Sequence, residues 1–373
     1  MSASATPMTA QENELLAAAR EGDEDAFRRL VEPRHAELHA HCYRMLGSVH
    51  DAEDALQEAL LRAWRGLKRF QARSSLRSWL YTIATNTCLD AIARRPKRVL
   101  PLDYGPAADP HNDGLGLPPA ESLWMDAYPD EALGLEDGFA APEARYELRE
   151  SVELAFVAAL QHLPANQRAA LILREVLGFS ARETAESLET TVASVNSALQ
   201  RARATVDDRL PERSQQATLR ALGDDGLREV VNGYMDAMQR GDVDAVVDML
   251  AEDAAWSMPP LPAWFSGRDA LIGFMNMGPL SGDWRWHHRP ARANGQAAVG
   301  SYAWYAEDGC YRPFALDVLT VDAGGRIEAI TSFITRDTLS RERHFYERWP
   351  EQRFDETAVT AAFARFGLPD RLD

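Results

Sequence analysis

Cysteine is nearly absent from this 373-residue chain: Cys42, Cys88 and Cys310 are odd in number, far apart and never in a CxxC pair. That pattern excludes a disulfide framework and a thiolate zinc site. Histidines do not cluster either; His287 and His288 are adjacent, which on a strand turns them to opposite faces. No metal or cofactor is expected. Long apolar runs are missing, and the N-terminal MSASATPMTAQENE lacks a basic segment followed by an apolar one, so the expectation is a cytoplasmic protein without a membrane span. Positive charge is also short, with 40 Lys and Arg against 57 Asp and Glu, a net charge of −17. Such a chain repels free DNA, because phosphate contacts supply most non-specific affinity. Any contact with nucleic acid must be local and delivered by a partner.

What is present is ample apolar content, 46% of residues, enough for the cores of two or three domains. The most informative stretch runs from Asp51 to Arg98. In DAEDALQEALLRAW the positions Ala52, Leu56, Ala59, Leu60, Ala63 and Leu67 recur at helical spacing and form one buried stripe. The opposite side carries Asp51, Asp54, Gln57, Glu58 and Arg65 around Leu61. A leucine directed away from its own core into a charged ring has the character of a protein-docking face, although single exposed apolar residues are also ordinary.

In the next block, SSLRSWLYTIATNTCLDAIARR, Ser74 or Ser75 can cap a helix that Pro96 stops. Leu76, Leu80, Ile83, Ala84, Thr87 and Ala91 would be its buried stripe, with Trp79, Thr82 and Asn86 on one flank and Tyr81, Thr85 and Ile92 elsewhere on the surface. Between Leu60 and Arg98 ten basic residues, Arg73, Arg94 and Arg95 among them, face the single acid Asp90. Positive charge interleaved with aromatic rings suits phosphate attraction and stacking on unpaired bases. These two blocks resemble, in order and spacing, the core-polymerase-binding and promoter-melting segments of sigma-70 family initiation factors of the extracytoplasmic-function group. The resemblance implies core RNA polymerase, through its beta-prime and beta subunits, and promoter DNA as partners.

Residues 8–46 read as helices Glu12–Arg20 and Glu24–Leu46 and complete a bundle over 1–98. Val99 to Ala144 then contains ten acids, seven prolines and no Lys or Arg, an acidic linker without regular structure. Such a tether could thread a basic channel of polymerase, as the family's linker is understood to do, or serve as a spacer. Leu123, Trp124, Met125 and Tyr128 are apolar enough to dock on another domain.

Over 145–213, Pro164 suits a helix first turn, Gly178 ends the helix Asn166–Leu177, and Ser180 with Glu183 has capping-box spacing. After the short helix Ala181–Leu188, Thr191 caps a last helix. Val195, Leu199, Ala202 and Val206 line its packing side, so Ser194, Asn196, Ser197, Gln200, Arg201 and Arg203 project outward with no acid from Thr190 to Val206. This is a helix-turn-helix whose second helix suits a major groove. It is similar to the family's domain for the upstream promoter element, with Asn196 where many members have lysine.

A polar junction, Ser214–Asp225, leads to a third unit over 222–340, with a tail at 341–373. Helices Leu227–Gln239, Val243–Leu250 and Ala270–Met277 precede strands Trp284–Ala293, Ala297–Ala306, Cys310–Thr320 and Arg326–Thr335, separated by hairpin signals. The fold class is therefore multidomain: two all-α domains, a helical bundle and a helix-turn-helix, joined by an acidic linker, plus an α+β cone. GYMDAMQRGDVDAVVDMLAEDAAWSMPP and VDAGGRIEAITSFIT resemble SnoaL-like domains of the ketosteroid-isomerase-like class. Some relatives are enzymes, so Asp317 is a candidate general base. Trp256, Trp264, Phe265, Met275, Trp304, Tyr305 and Phe314 either line a pocket for a small apolar ligand or are simply core. The glycine turn Asp322, Gly324, Gly325 and Arg326 is a candidate regulatory contact. The reading as a whole is a non-enzymatic initiation factor regulated in cis by its cone; a bifunctional isomerase or hydrolase is the alternative.

Overall fold

The computed structural model describes residues 8–70, 75–111, 115–116, 123–133, 147–335 and 355–373. Expectations for Arg73, Ser74, much of the acidic linker and the first part of the tail lie outside them. The chain divides into two compact units, one of residues Met1–Arg98 with Ala132–Pro211, the other of Val99–Glu131 with Glu212–Asp373.

The first unit is helical. Helix α1 (Ala10–Arg20) opens on a capping box between Thr9 and Glu12, and α2 (Glu24–Val31) on the Asp23 cap. The segment 24–46 is not one helix: Pro33, which has no amide to donate, sits in a 3-10 turn, Glu32–Arg34, and α3 (His35–Leu46) begins afresh. Gly47, at φ 69°, takes the left-handed conformation that ends α3. Helix α4 (Val49–Gly66) starts from the Ser48 cap, and α5 (Leu76–Ile92) from Ser75, whose hydroxyl accepts from Ser78 N at 3.0 Å. Ala52, Ala59 and Ala63 of α4 are buried, as are Leu38, Tyr43 and Met45 of α3 and Leu80 and Ala84 of α5, and α4 packs against both helices; small residues let helices approach closely.

One face of α5 corrects the sequence reading. Tyr81 and Thr85, expected on the surface, are 1% and 0% exposed, because further helices of the unit cover that side. Thr85 hydrogen-bonds His41 at 2.9 Å, and Tyr81 meets the rings of His41 and Phe179 edge-on. Those helices are α6 (Leu154–Gln161), α7 (Ala165–Leu171) extended by a π turn Ile172–Val176, α8 (Ala181–Ser187) and α9 (Val192–Asp207). Gly178 (φ 71°) makes the turn after α7, Ser180 and Glu183 form the expected capping box, and Thr191 caps α9. A buried polar network ties α3 to this half: Arg44 Nη2 donates to Ser151 Oγ at 2.8 Å, Gln161 Nε2 to Arg44 O at 3.1 Å, and Arg168 Nη1 holds Gln161 Oε1 at 2.6 Å.

The second unit is built on a six-stranded sheet of order β2-β1-β6-β5-β4-β3, antiparallel except for the β1–β6 pair. Its strands are β1 (Leu250–Ser257), β2 (Trp264–Ser266), β3 (Trp286–Ala293), β4 (Gln296–Tyr305), β5 (Cys310–Val321) and β6 (Ile327–Ile334). Strand β1 follows the helix Val243–Met249 directly, and β2 is three residues long just before the helix Arg268–Met277, so their apolar residues read as helix ends or loop. Helices α10 (Gln215–Arg240), α11 (Val243–Met249) and α12 (Arg268–Met277) cover one face. The supposed polar junction is the first turns of α10, which bends at Gly223; buried Gln215 exchanges hydrogen bonds with the Val321 main chain at 2.9 Å in both directions. The other face of the sheet is covered by α13 (Glu356–Ala364) and the residues after it. Phe363, Leu368 and Leu372 pack on Ala298, Tyr302 and Leu316, and Leu372 pairs with Tyr311.

Part of the linker also belongs to this unit. Ala108 N donates to Trp264 O at 2.8 Å, Trp264 Nε1 to Gly105 O at 2.8 Å, and Asn294 and Tyr128 bond each other twice, each at 2.8 Å. Trp124, Met125 and Tyr128 are buried. Trp124 meets the Tyr104 ring within the linker, while Tyr128 is fixed on the sheet domain through Asn294.

Candidate docking faces and ligand cavity

On α4, Leu61 is 49% exposed, and Asp54 and Gln57 are exposed on the same side of the helix. Glu58 lies beside them, holding Arg62 at 2.8 Å, and Arg62 reaches Asp90 at the same distance. Asp51 departs from this group. It is 5% exposed and receives Arg98 Nη2 at 2.6 Å and Arg95 Nη1, so it is an internal counter-charge rather than part of an open face. One turn from the helix start places it over the chain that follows α5, a fold-back that spacing within α4 does not reveal.

Trp79, Thr82 and Asn86 share one half-exposed flank of α5. Trp79 leans on Phe70 with ring centroids 4.8 Å apart, which holds its indole in place. Arg94 is exposed, whereas Arg95 is engaged by Asp51 and, at 3.9 Å, Asp54. Arg77 lies over the rings of Tyr81 and Phe179 at 4.9 and 5.0 Å. Part of the basic excess read from the sequence is thus spent within the unit.

Helix α9 buries Val195, Leu199, Ala202 and Val206 and exposes Ser194, Asn196, Ser197, Gln200, Arg201 and Arg203, with Thr191 exposed at its cap. Arg201 bonds Ser197 Oγ at 2.7 Å, and Arg203 pairs with Glu175. Hydroxyl, amide and guanidinium groups on one rigid face are the groups that read base edges.

The sheet domain holds a cavity of about 190 Å³ that is open to solvent on one side. Trp256, Phe314 and Asp317 line it as expected. Trp264, Phe265 and Trp304 do not: Trp264 clamps Gly105, Phe265 stacks on Phe274, and Trp304 lies on the opposite side of β4 from Ser301 and Ala303, against Tyr311 and Arg285. Met275 and Tyr305 are buried away from it too. Trp284, Trp286 and His288 take their places in the wall. Trp286 and His288, two apart on β3, share a face, and Trp284 continues that spacing just before the strand, which is the sequence signal for them.

Asp317 sits in mid-sheet, fully enclosed. Tyr234 OH and Ser301 Oγ donate to its Oδ2 at 3.1 and 2.7 Å. Burial pushes its carboxyl above the usual range, while hydrogen bonds from Ser332, Ser301 and Tyr234 oppose the rise. His288, 3% exposed, has neither ring nitrogen hydrogen-bonded, and burial lowers its pKa to about 3. In the β5–β6 turn, Asp322 Oδ1 accepts from the amides of Gly324 and Arg326, each at 2.8 Å, and Gly325 takes φ 82°. No group of metal-ligating side chains occurs among the described residues, and no described helix is long and apolar enough to cross a membrane.

Sigma-70 region 2 matches residues 30–98, sigma-70 region 4 residues 153–206, and the SnoaL-like domain residues 231–330. The ECF RNA polymerase sigma factor SigG of Mycobacterium tuberculosis is 38% identical over 357 residues, 95% of this chain and 86% of that protein. SigW of Bacillus subtilis is 29% identical over 184 residues, 49% of this chain and 88% of its own. In fold, the crystal structure of the extracytoplasmic function sigma factor SigJ of Mycobacterium tuberculosis aligns with a TM-score of 0.52 at 23% identity, covering 82% of this chain and 96% of that one. With α4 and α5 forming region 2, α9 the outward helix of region 4 and a SnoaL-like sheet domain after them, the chain belongs to the ECF group of sigma-70 RNA polymerase sigma factors.

Proposed function

We propose that the chain binds core RNA polymerase and directs initiation at specific promoters, with the SnoaL-like domain regulating it in cis. The observation that carries the binding assignment is Leu61, half exposed on a rigid helix with Asp54, Gln57 and Glu58 around it. An apolar centre with a charged rim suits a helical surface of the polymerase. Trp79, Thr82, Asn86 and Arg94 would hold the unpaired strand of the downstream element, and the exposed face of α9 would read duplex at the upstream one. Polymerase, not this chain, makes the phosphodiester bond. Run-off transcription with purified core polymerase and a promoter library tests the assignment; a library without any responsive promoter would refute it.

The regulatory reading rests on the main-chain grip that Trp264 and Asn294 exert on the linker. A fused domain acts at high effective concentration, so even modest grip is sufficient. The turn Asp322, Gly324, Gly325 and Arg326 is proposed as a further contact. Truncation after Pro211 should alter transcription from a cognate promoter; identical activity would leave the domain without this role. Asp317 in an apolar cavity favours one second reading, an isomerase or hydrolase activity, which turnover of isomerase or epoxide-hydrolase substrates by the full chain would reveal.

A further inference from the structure

The cavity has two ends of different chemistry. Trp256, Trp284, Trp286 and Phe314 supply flat apolar walls, and Trp284 lies parallel to Trp286 with centroids 5.0 Å apart. The polar end holds His288, with both ring nitrogens buried and unpaired, and Asp317, whose carboxylate takes hydrogen bonds from Tyr234, Ser301 and Ser332. A neutral imidazole offers one donor and one acceptor, and leaving both unused when buried is costly. No Lys or Arg lines the cavity, but Asp283 and Asp317 do, which disfavours anions. Burial of a ligand cation would require desolvation beside a carboxylate already served by hydroxyls. At about 190 Å³ the space exceeds the roughly 150 Å³ that holds a benzene-sized guest and falls short of the roughly 300 Å³ where drug-sized sites begin. Leu115 of the linker forms part of the wall.

We propose that this cavity binds a neutral one- or two-ring molecule carrying a hydroxyl or carbonyl group, held between His288 and Asp317, and that its occupancy strengthens docking of the linker through Leu115. The binding claim stands apart from the regulatory reading above; the coupling claim rests on it. Full-length protein is titrated calorimetrically with 2-naphthol, naphthalene and 2-naphthoate. The expected result is one saturable site that prefers 2-naphthol to naphthalene at least tenfold and rejects 2-naphthoate. His288→Leu, which keeps the wall apolar, should erase the preference while naphthalene still binds. Ala315→Leu, which fills the space, should abolish binding of both. No saturable binding of 2-naphthol, equal affinity for the hydrocarbon, tighter naphthoate, or a preference intact in His288→Leu would each overturn the site. Proteolysis within the linker should slow at least threefold at saturating 2-naphthol in the native protein and not in Leu115→Ala. An unchanged rate in the native protein refutes the coupling while leaving the calorimetric result to judge the site.

Discussion

Replacing Asp51 by alanine separates an internal role from a docking role. The carboxylate is 5% exposed and holds Arg98, whose side chain is 14% exposed, at 2.6 Å; its other partner, Arg95, is 45% exposed. Removing one member of a buried pair typically costs about 3–5 kcal/mol, because the remaining charge is left without compensation. An exposed pair contributes about 0–1 kcal/mol. Arg98 lies near the buried limit and can partly swing to water, so Asp51→Ala should cost about 2–4 kcal/mol. Read by hydrogen exchange of α4 and α5 amides opening together, that is roughly a 30- to 1000-fold acceleration at about 1.4 kcal/mol per decade. Asp54→Ala, at a side chain 51% exposed, should change exchange less than about threefold, consistent with the ±0.5 kcal/mol of ordinary surface substitutions. In polymerase pull-down the order reverses: Asp54→Ala weakens capture in the folded protein, and Asp51→Ala does so only to the extent that the helices open. Unchanged exchange in Asp51→Ala together with lost capture would refute the ion-pair account and return Asp51 to the docking face.

Leu61→Asp should cut polymerase capture at least tenfold while urea stability changes by less than about 0.5 kcal/mol; unchanged capture would sink the assignment of that face. His41 is buried, with a pKa lowered from 6.5 to about 3 by burial and by Arg44 and Arg77. The unfolded chain therefore binds the proton that the folded one refuses, and stability falls as pH drops from 6.5 towards 3. At pH 5 this loss is about 2 kcal/mol, and His41→Gln should show correspondingly less pH dependence between 7.5 and 5 in urea titrations. Gly300→Ala would place a methyl group 2.5 Å from Leu368 Cδ1; displacing that leucine should cost about 1–3 kcal/mol and speed proteolysis near α13.

The helices and hairpins were legible where local chemistry decides them. Ser180 and Glu183, Thr191, Gly178 and the Asn294-Gly295 turn act within a few residues, and the structure has the elements they announce. Tyr81 and Thr85 were not legible, because the partner that buries them arrives some hundred residues later, with Phe179 and its neighbours. Asp51 failed for the same reason: nothing in α4 tells that Arg95 and Arg98 return to it. In the cavity, Trp256, Phe314 and Asp317 were anticipated by their apolar neighbourhoods. The sequence leaves Trp264, Phe265 and Trp304 open between pocket and core, since composition does not tell which face of a strand looks inward; they do not line the cavity. Gln215 and Gln216 look polar and exposed, yet they are buried on the carbonyls of Val321, at the end of β5, and of Gly295, in the β3–β4 turn.

The sheet domain holds the linker by backbone amides and carbonyls at Gly105, Ala108 and Tyr128 and by one carboxylate, Asp130, which accepts from Gly295 N at 2.7 Å and lies 3.6 Å from Arg292. The backbone contacts are nearly blind to side-chain identity; the carboxylate is not. A saturation library across 99–131 should therefore be least tolerant of proline at Ala108 or Tyr128, of any replacement at Asp130 and of lost bulk at Leu115. One acid of the tether is thus fixed by its attachment, whatever selects the others.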